Sequence, residues 1–186
     1  MIPADRKEGY LKTANILAHL LFLVANIWTV TSPRDIYGDI QQTYFTPAIW
    51  VFCVWPVIHI LLLSALIYSF ASDRGKAVII DGISWELPLY TLLCGMFVAF
   101  WANHYPTTAF VVSYCLNYVG DSIHSVVKAK YYPESLQEQF LILLPFTACQ
   151  TWNLVIYLLT AFEAFGVDAS EHGDGRWTRC FVVAAL

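Results

Sequence analysis

The sequence predicts an all-α membrane protein, a single polytopic bundle of five transmembrane helices. Five apolar stretches occupy most of the 186 residues, and each is close to the roughly 20 residues that cross a bilayer core of about 30 Å. Charged residues make up 13% of the chain and hydrophobic residues 58%, whereas a soluble domain has about 25% charged residues. The predicted spans, all in one domain over residues 1–186, are about 12–31, 47–70, 86–104, 106–127 and 139–166.

The Lys and Arg residues support this span count and predict an orientation. If five spans alternate, seven of these residues fall on one side of the membrane, and the other side has Arg34 in the first loop and none in the third. Arg176 and Arg179, after the fifth span, weaken this bias without reversing it. Positive residues concentrate on the cytoplasmic side, so a cytoplasmic N-terminus is expected. The net charge of −4 argues against a nucleic-acid partner.

The first span and the loop after it both carry features that point to the bundle interior. Asn15, His19 and Asn26 share one broad face of the first helix, and polar side chains in membrane helices usually face the interior or a wet cavity. The loop from Thr31 to Thr46 contains proline and glycine, which break helices. As the longest connection between spans, it is expected to fold over one mouth of the bundle.

The second span carries an aromatic stripe. Ala48, Phe52, Trp55 and His59 follow the i, i+4, i+7, i+11 spacing of one helix face. Trp55, like Trp152 in the fifth span, lies deep in its helix, where the indole N–H needs a partner. We therefore expect Phe52, Trp55, His59 and Trp152 to converge on one cavity between the second and fifth helices, near the first loop.

Asp121 is the most costly residue of the fourth span. An aspartate at the centre of a membrane helix costs about 2.5–3.5 kcal/mol on insertion scales. Asp121 shares a helix face with Asn117, His124 and Ser125, so we expect it to face the interior, as a proton relay or an anchor for a ligand. An interhelical hydrogen bond, or a shallower position in the membrane, would equally explain it.

The fifth span begins with a clear signal and is unusually long. Ser135 and Glu138 have the spacing of a capping box, and a helix from there to Gly166 would be about 45 Å long. It must tilt, kink at Pro145 or protrude. After a polar connector the chain ends in the apolar run Cys180 to Leu186, which has the character of an incomplete sixth span or of a tail in the membrane interface.

Neither a metal site nor a catalytic site is predicted. The His, Asp and Glu residues are dispersed over different helices without metal-ligand spacing. Ser122 follows Asp121 and lies near His124, but consecutive residues do not share a helix face and no nucleophile-elbow motif surrounds Ser122. Trp85 and Trp101, near the predicted span ends, are assigned to the aromatic belt at the membrane interface.

Two motifs resemble a known family. The run from Thr46 to His59 contains Pro-x-x-Trp-x-Phe-x-x-Trp and resembles the second-helix signature of the TspO/translocator-protein superfamily, with His59 where a tyrosine is usual. Pro145-Phe146 followed by Trp152 is similar to the fifth helix of its tryptophan-rich sensory branch. The segment from Thr160 to Asp168 resembles fungal membrane proteins of this type, so a divergent fungal-type member is expected.

The resemblance implies a five-helix bundle with a pocket that opens toward the first loop and binds porphyrins or sterol-like lipids. We therefore expect an integral membrane protein that binds or senses a hydrophobic small molecule such as a tetrapyrrole or a sterol-like lipid. It is expected to have no enzymatic activity and no resident cofactor. The family pattern and the residue analysis together assign the ligand site to Trp50, Phe52, Trp55, His59, Trp152 and Asp121.

Other functions remain open from the sequence. A small transporter or proton-coupled carrier would use Asp121, His124 and Glu163 as its titratable path. A structural subunit of a membrane complex is also compatible with the chain, as is a homodimer. No internal repeat, of the kind on which many transporters are built, supports the transporter.

Overall fold

The computed structural model describes residues 4–38, 43 and 45–165, and within these ranges all regular structure is helical. A 3₁₀ turn over Ile49–Cys53 leads into α2, and π-helical segments continue α3 over Ala77–Ile83 and precede α7 over Gln139–Leu143. The incomplete sixth span expected from Cys180 onward lies outside the described residues. The α-helices are α1 Ala4–Thr31, α2 Val54–Ala71, α3 Asp73–Lys76, α4 Glu86–Ala102, α5 Pro106–Lys130, α6 Leu136–Glu138 and α7 Leu144–Phe165.

The protein is an integral membrane protein with three or four apolar spans. Helices over Arg6–Thr31, Ile49–Ala71 and Leu136–Phe165 are long and apolar enough to cross a bilayer. The pair Asp73–Ile83 and Glu86–Ala102, bent by 73°, supplies a fourth if it counts as one span. Helix α5 has 25 residues, about 37 Å at 1.5 Å per residue. Its composition is too polar for the same test, so the count of five spans stays a prediction.

The helices begin and end where local chemistry allows. Helix α5 starts with Pro106, which is preorganised for a first helical turn. Before α7, the side chain of Ser135 accepts a hydrogen bond from the backbone N–H of Glu138, with 3.2 Å between the two atoms. This bond is the capping interaction expected from the sequence.

The segment between the second and third predicted spans is folded rather than a loop. Residues Asp73–Ile83 are helical, and Val78, Ile79 and Ile83 are buried. Ser84 then takes a positive φ of 55° and allows the sharp bend into α4. The apolar run from Ala77 to Ile80 explains why this segment is not an exposed loop. Its side chains are more stable when packed against the end of the bundle than when exposed to water.

One pair of consecutive spans, α1 and α2, is only loosely packed. Helix α5 packs extensively against α7 and α4, and α1 packs against α4. Helix α2 contacts α3 and α7 more than it contacts α1, although α1 and α2 are consecutive spans. The two helices therefore border a groove, and that groove contains the candidate site.

Candidate functional site

A groove between α1 and α2 opens to the outside of the bundle. Its volume is about 590 Å³, within the range of about 300–1,000 Å³ typical of small-molecule sites. It runs from the first loop to the middle of both spans, about 12 Å along α1 from Thr31 to Leu23. The residues that line it are Leu23, Asn26, Ile27, Val30, Thr31, Tyr37, Ile49, Phe52, Cys53, Trp55, Pro56, His59 and Ile60.

Aromatic rings form the floor of this groove. The ring of Trp55 meets the rings of Phe22 and Trp152 edge to face, with centroids 5.6 and 5.7 Å apart. Phe52 lies 5.4 Å from Trp101 and 6.4 Å from Trp152. Such geometry is favourable for aromatic pairs, so the floor is preorganised before any ligand arrives.

Two buried polar side chains interrupt the apolar wall. His59 is 8% exposed and Asn26 is 7% exposed. Both ring nitrogens of His59 and the Oδ1 atom of Asn26 have no hydrogen-bond partner among the described residues. The imidazole of His59 packs instead against Phe22 at 4.2 Å and against His19 at 5.4 Å between ring centroids. Buried polar atoms are nearly always hydrogen-bonded, and these three atoms are exceptions that lie below the accessible surface of the groove wall.

The first loop covers one end of the groove. The hydroxyls of Tyr37 and Thr29 are 3.0 Å apart and hydrogen-bonded. The ring of Tyr37 packs against Phe52 at 5.1 Å and Trp101 at 5.7 Å, and Ile36 beside it is buried. The expectation that this loop folds over one mouth of the bundle therefore agrees with the geometry.

The structure brings four of the six predicted site residues together. Phe52, Trp55 and His59 line the groove, as their spacing on one helix face indicates. Trp152 lies behind them, in contact with the rings of Phe52 and Trp55 but not in the wall. The cavity therefore lies between the first and second spans. Its expected position between the second and fifth is wrong, because α7 packs on α2 and fills that side.

Trp50 and Asp121 lie apart from this group. Trp50 is 74% exposed because the chain around it is a 3₁₀ turn, whose three residues per turn direct it away from the α2 stripe. Asp121 lies on the exposed surface of α5 and has neither hydrogen bond nor ion pair within the described residues. The expectation that Asp121 faces the interior is wrong, since α5 packs through its opposite face.

Other residues were missed or misassigned from the sequence. Trp101, assigned to the interfacial belt, is buried and donates its indole N–H to Glu163 Oε2 at 2.9 Å. Tyr37 and Cys53 line the groove, and no sequence signal singles them out. Asn26 was recognised as part of a polar face, but its pairing with the α2 stripe depends on which helices are neighbours. The described residues do not bring three His, Cys, Asp or Glu side chains together.

Comparison with known proteins adds one finding. The family model described as TSPO-like protein matches residues 12–186 of the chain. No curated protein and no solved structure matches it. The matched range includes every residue that lines the groove, two of the three apolar spans completely and the first span from residue 12 onward.

Proposed function

Because the chain belongs to the TSPO-like family, we propose that it is a membrane protein that binds or senses a hydrophobic ligand in the groove between α1 and α2. The proposed ligand is a sterol-like lipid or a tetrapyrrole. One observation carries this proposal, a groove of about 590 Å³ whose wall is aromatic and aliphatic except for a few polar groups. The protein acts by binding and has no enzymatic activity of its own.

The chemistry of the groove supports a flat, apolar ligand. The side chains of Trp55 and Phe52 offer ring surface, and each aromatic pair adds about 0.5–1.5 kcal/mol beyond the area it buries. Because both bordering helices are apolar spans, the groove opens toward lipid. A ligand dissolved in the bilayer can therefore enter sideways without passing through water.

The proposal includes a topology. Five spans with a cytoplasmic N-terminus put the first loop, and with it the covered end of the groove, on the side opposite the cytoplasm. The Lys and Arg distribution supports this orientation. Helix α5 then spans the membrane with a polar outer face.

The proton-coupled carrier is the weaker alternative. Glu163 bonds Trp101 at the end of α4, beside the start of α5. Asp121 lies about 15 residues further along α5, or about 22 Å, and on the outer face. The two acids therefore do not form one relay through the bundle.

A structural subunit of a membrane complex is the second candidate, and the outer face of α5 favours it. Tyr118 is 76% exposed and Tyr114 is 60% exposed, and Asp121 continues the same exposed stripe. Polar side chains are costly against lipid, so a neighbouring membrane helix would stabilise this face. This role does not exclude ligand binding in the groove on the opposite part of the bundle.

Protection of Cys53 from a thiol reagent tests the leading proposal. Cys53 lines the groove and is exposed. In full-length protein in lipid nanodiscs, with Cys115 and Cys180 replaced by serine, we expect cholesterol or protoporphyrin IX to slow maleimide labelling of Cys53 at least about five-fold.

The matched control keeps Cys115, which is exposed on α5, and replaces Cys53 by serine. Labelling of Cys115 should not change with ligand. If neither ligand slows the labelling of Cys53, or if both cysteines are slowed equally, the groove is not the binding site.

A further inference from the structure

A second cavity, the loop pocket, adjoins the covered end of the groove. It lies in the first loop and has a volume of about 320 Å³. Val30 and Tyr37 line both the loop pocket and the groove, so the two cavities meet at these side chains. None of the described residues that line the groove is Lys, Arg, Asp or Glu, whereas Arg34 and Asp35 both line the loop pocket. A charged pocket therefore continues into an apolar groove.

The charged groups of the loop pocket are accessible and unpaired. Arg34 and Asp35 are both exposed, and neither forms an ion pair within the part of the chain that the structure describes. Asp35 Oδ1 accepts a hydrogen bond from the backbone N–H of Gly38 at 3.0 Å. The backbone N–H of Arg34 donates to the hydroxyl of Ser32 at 3.3 Å. These bonds hold the loop, while the guanidinium and the second carboxylate oxygen remain available to a bound molecule.

The loop pocket lies at the depth of lipid headgroups. The first loop begins where the first span ends, at Thr31, and the headgroup layer adds about 5–8 Å on each side of the hydrocarbon core. From that level the groove extends about 12 Å along α1 toward Leu23. A phospholipid can therefore place its head in the loop pocket and an acyl chain in the groove without leaving its normal depth in the membrane.

The charges select among phospholipid heads. A guanidinium binds phosphate through directed hydrogen bonds, whereas the carboxylate of Asp35 repels a head with a net negative charge. A primary ammonium can donate hydrogen bonds to that carboxylate. A quaternary ammonium has no N–H and is typically bound by aromatic cages. Tyr37 is the one aromatic side chain among the described residues of the loop pocket, and its ring packs on Phe52 and Trp101.

We infer that the loop pocket binds the head of a phospholipid that carries a phosphate and a primary ammonium, as in phosphatidylethanolamine. Arg34 binds the phosphate, Asp35 binds the ammonium, and one acyl chain lies in the groove. The inference rests on the proposed function in one respect, because the groove must admit an apolar molecule. The lipid and the proposed ligand then compete for the groove.

Lipids that differ only in the head test the selection on the unmodified full-length protein. Native mass spectrometry from detergent measures the binding of dioleoyl lipids with ethanolamine, choline or glycerol heads. We expect phosphatidylethanolamine to bind at least about five-fold more tightly than phosphatidylcholine or phosphatidylglycerol, since its head alone forms charge-assisted hydrogen bonds with both residues. In protein with Cys115 and Cys180 replaced by serine, it should also slow maleimide labelling of Cys53, which lines the groove.

Variants then assign the effect to the two charges. Asp35→Asn should remove the preference for phosphatidylethanolamine and favour phosphatidylglycerol, because Arg34 is left without a neighbouring negative charge. Arg34→Gln should weaken phosphatidylethanolamine binding at least about five-fold. Lys130→Gln is the matched control, since it removes an exposed positive charge at the other end of the bundle. It should keep both the affinity and the preference.

The outcomes separate this inference from the proposed function. Equal binding of the three lipids, or a preference that survives Asp35→Asn, overturns the headgroup site whether or not cholesterol protects Cys53. A headgroup preference without slower labelling of Cys53 also overturns it, because the acyl chain then lies elsewhere. If cholesterol and protoporphyrin IX leave the labelling unchanged as well, the proposed function itself fails. The comparison of lipid heads needs no variant, so a substitution that prevents folding does not affect it.

Discussion

At the scale of single residues, the position of Trp55 connects the aromatic stripe to the groove. Its ring is 5% exposed and is held by Phe22 on α1 and Trp152 on α7. Three helices therefore fix one side chain that a ligand would touch. Trp85, which is 52% exposed, borders a separate apolar groove between α1 and α4 and has no part in the candidate site.

Trp55→Ala should weaken cholesterol binding, since the loss of one aromatic contact costs about 1 kcal/mol, or roughly five-fold in affinity. Trp85→Ala should leave binding unchanged. Titration of Cys53 protection measures both. Equal losses in the two variants would leave the aromatic floor without a role in binding.

Asp121 leads to the opposite expectation. Because its side chain faces away from the groove, Asp121→Asn should leave ligand affinity unchanged within about two-fold, and insertion into the membrane should improve slightly, since a charge in the bilayer is removed. The same protection assay measures the affinity. A loss of ligand affinity comparable to that of Trp55→Ala would show that Asp121 does contribute to the ligand site.

At the scale of elements, α5 differs from the other long helices. The outward positions of one stripe repeat at spacings of three and four residues and include Tyr114, Tyr118 and Asp121. Its inner face packs closely on α7, where Asn117 donates to the backbone carbonyl of Asn153 at 3.0 Å. The side chain of Asn153 in turn accepts from the hydroxyl of Tyr90 on α4, also at 3.0 Å. The inner hydrogen bond helps to hold α5 in the bundle. On the outer stripe, Tyr114 touches only the ring of Tyr157 among the aromatic residues that the structure describes, and Tyr118 and Asp121 stay exposed.

The close approach of α5 and α7 depends on Gly120. A β-carbon there would lie 2.5 Å from Gln150 Oε1 and 2.7 Å from Asn153 Nδ2. Gly120→Ala should therefore lower the free energy of unfolding by about 1 kcal/mol, the lower end of the cost of overpacking. Both amide ends must move aside, and for Asn153 this disturbs its hydrogen bond with Tyr90. Gly9→Ala on α1 is the control, because a β-carbon at that position meets nothing within 4 Å.

Thermal unfolding in detergent measures both glycine variants. Gly9→Ala should leave the melting temperature unchanged or raise it, since alanine favours helix. If Gly120→Ala is as stable as Gly9→Ala, the side chains of Gln150 and Asn153 move aside without cost, and Gly120 does not limit the packing of α5 on α7.

At the scale of the whole molecule, ion pairs join the helices at the end of the bundle opposite the first loop. Lys76 Nζ lies 2.6 Å from Glu8 on α1, and Arg74 Nε lies 3.7 Å from Glu138 beside α7. Both cations belong to the folded segment after α2. The segment therefore connects α1 with the helical turn that precedes α7 at this side, while the loop side is closed by Tyr37 and its ring contacts.

Five spans require that the first and second connections lie on opposite sides of the membrane. In a cysteine-free protein, Ser32→Cys should react with an impermeant maleimide from one side of sealed vesicles and Ser72→Cys from the other. The N-terminal orientation predicts that Ser72→Cys is the cytoplasmic one. Labelling of both from the same side would exclude the alternating arrangement.

Local patterns in the sequence determined much of this protein. Composition and apolar runs identify an integral membrane protein, because a bilayer imposes its thickness on any helix that crosses it. The motifs from Thr46 to His59 and around Trp152 led to a family that is confirmed by the match over residues 12–186. The prediction that Phe52, Trp55 and His59 share one face was correct, because the spacing of residues along the chain alone determines which side chains share a helix face.

Only the tertiary structure decided which faces meet. In lipid, a helix surface against a neighbour and a surface against the bilayer are both apolar, so hydrophobicity does not tell them apart. For that reason Asp121 was expected inside and lies outside, whereas Trp101 was expected at the interface and bonds Glu163 in the interior. The groove itself depends on the loose packing of α1 on α2, and this packing follows from contacts between helices distant in sequence.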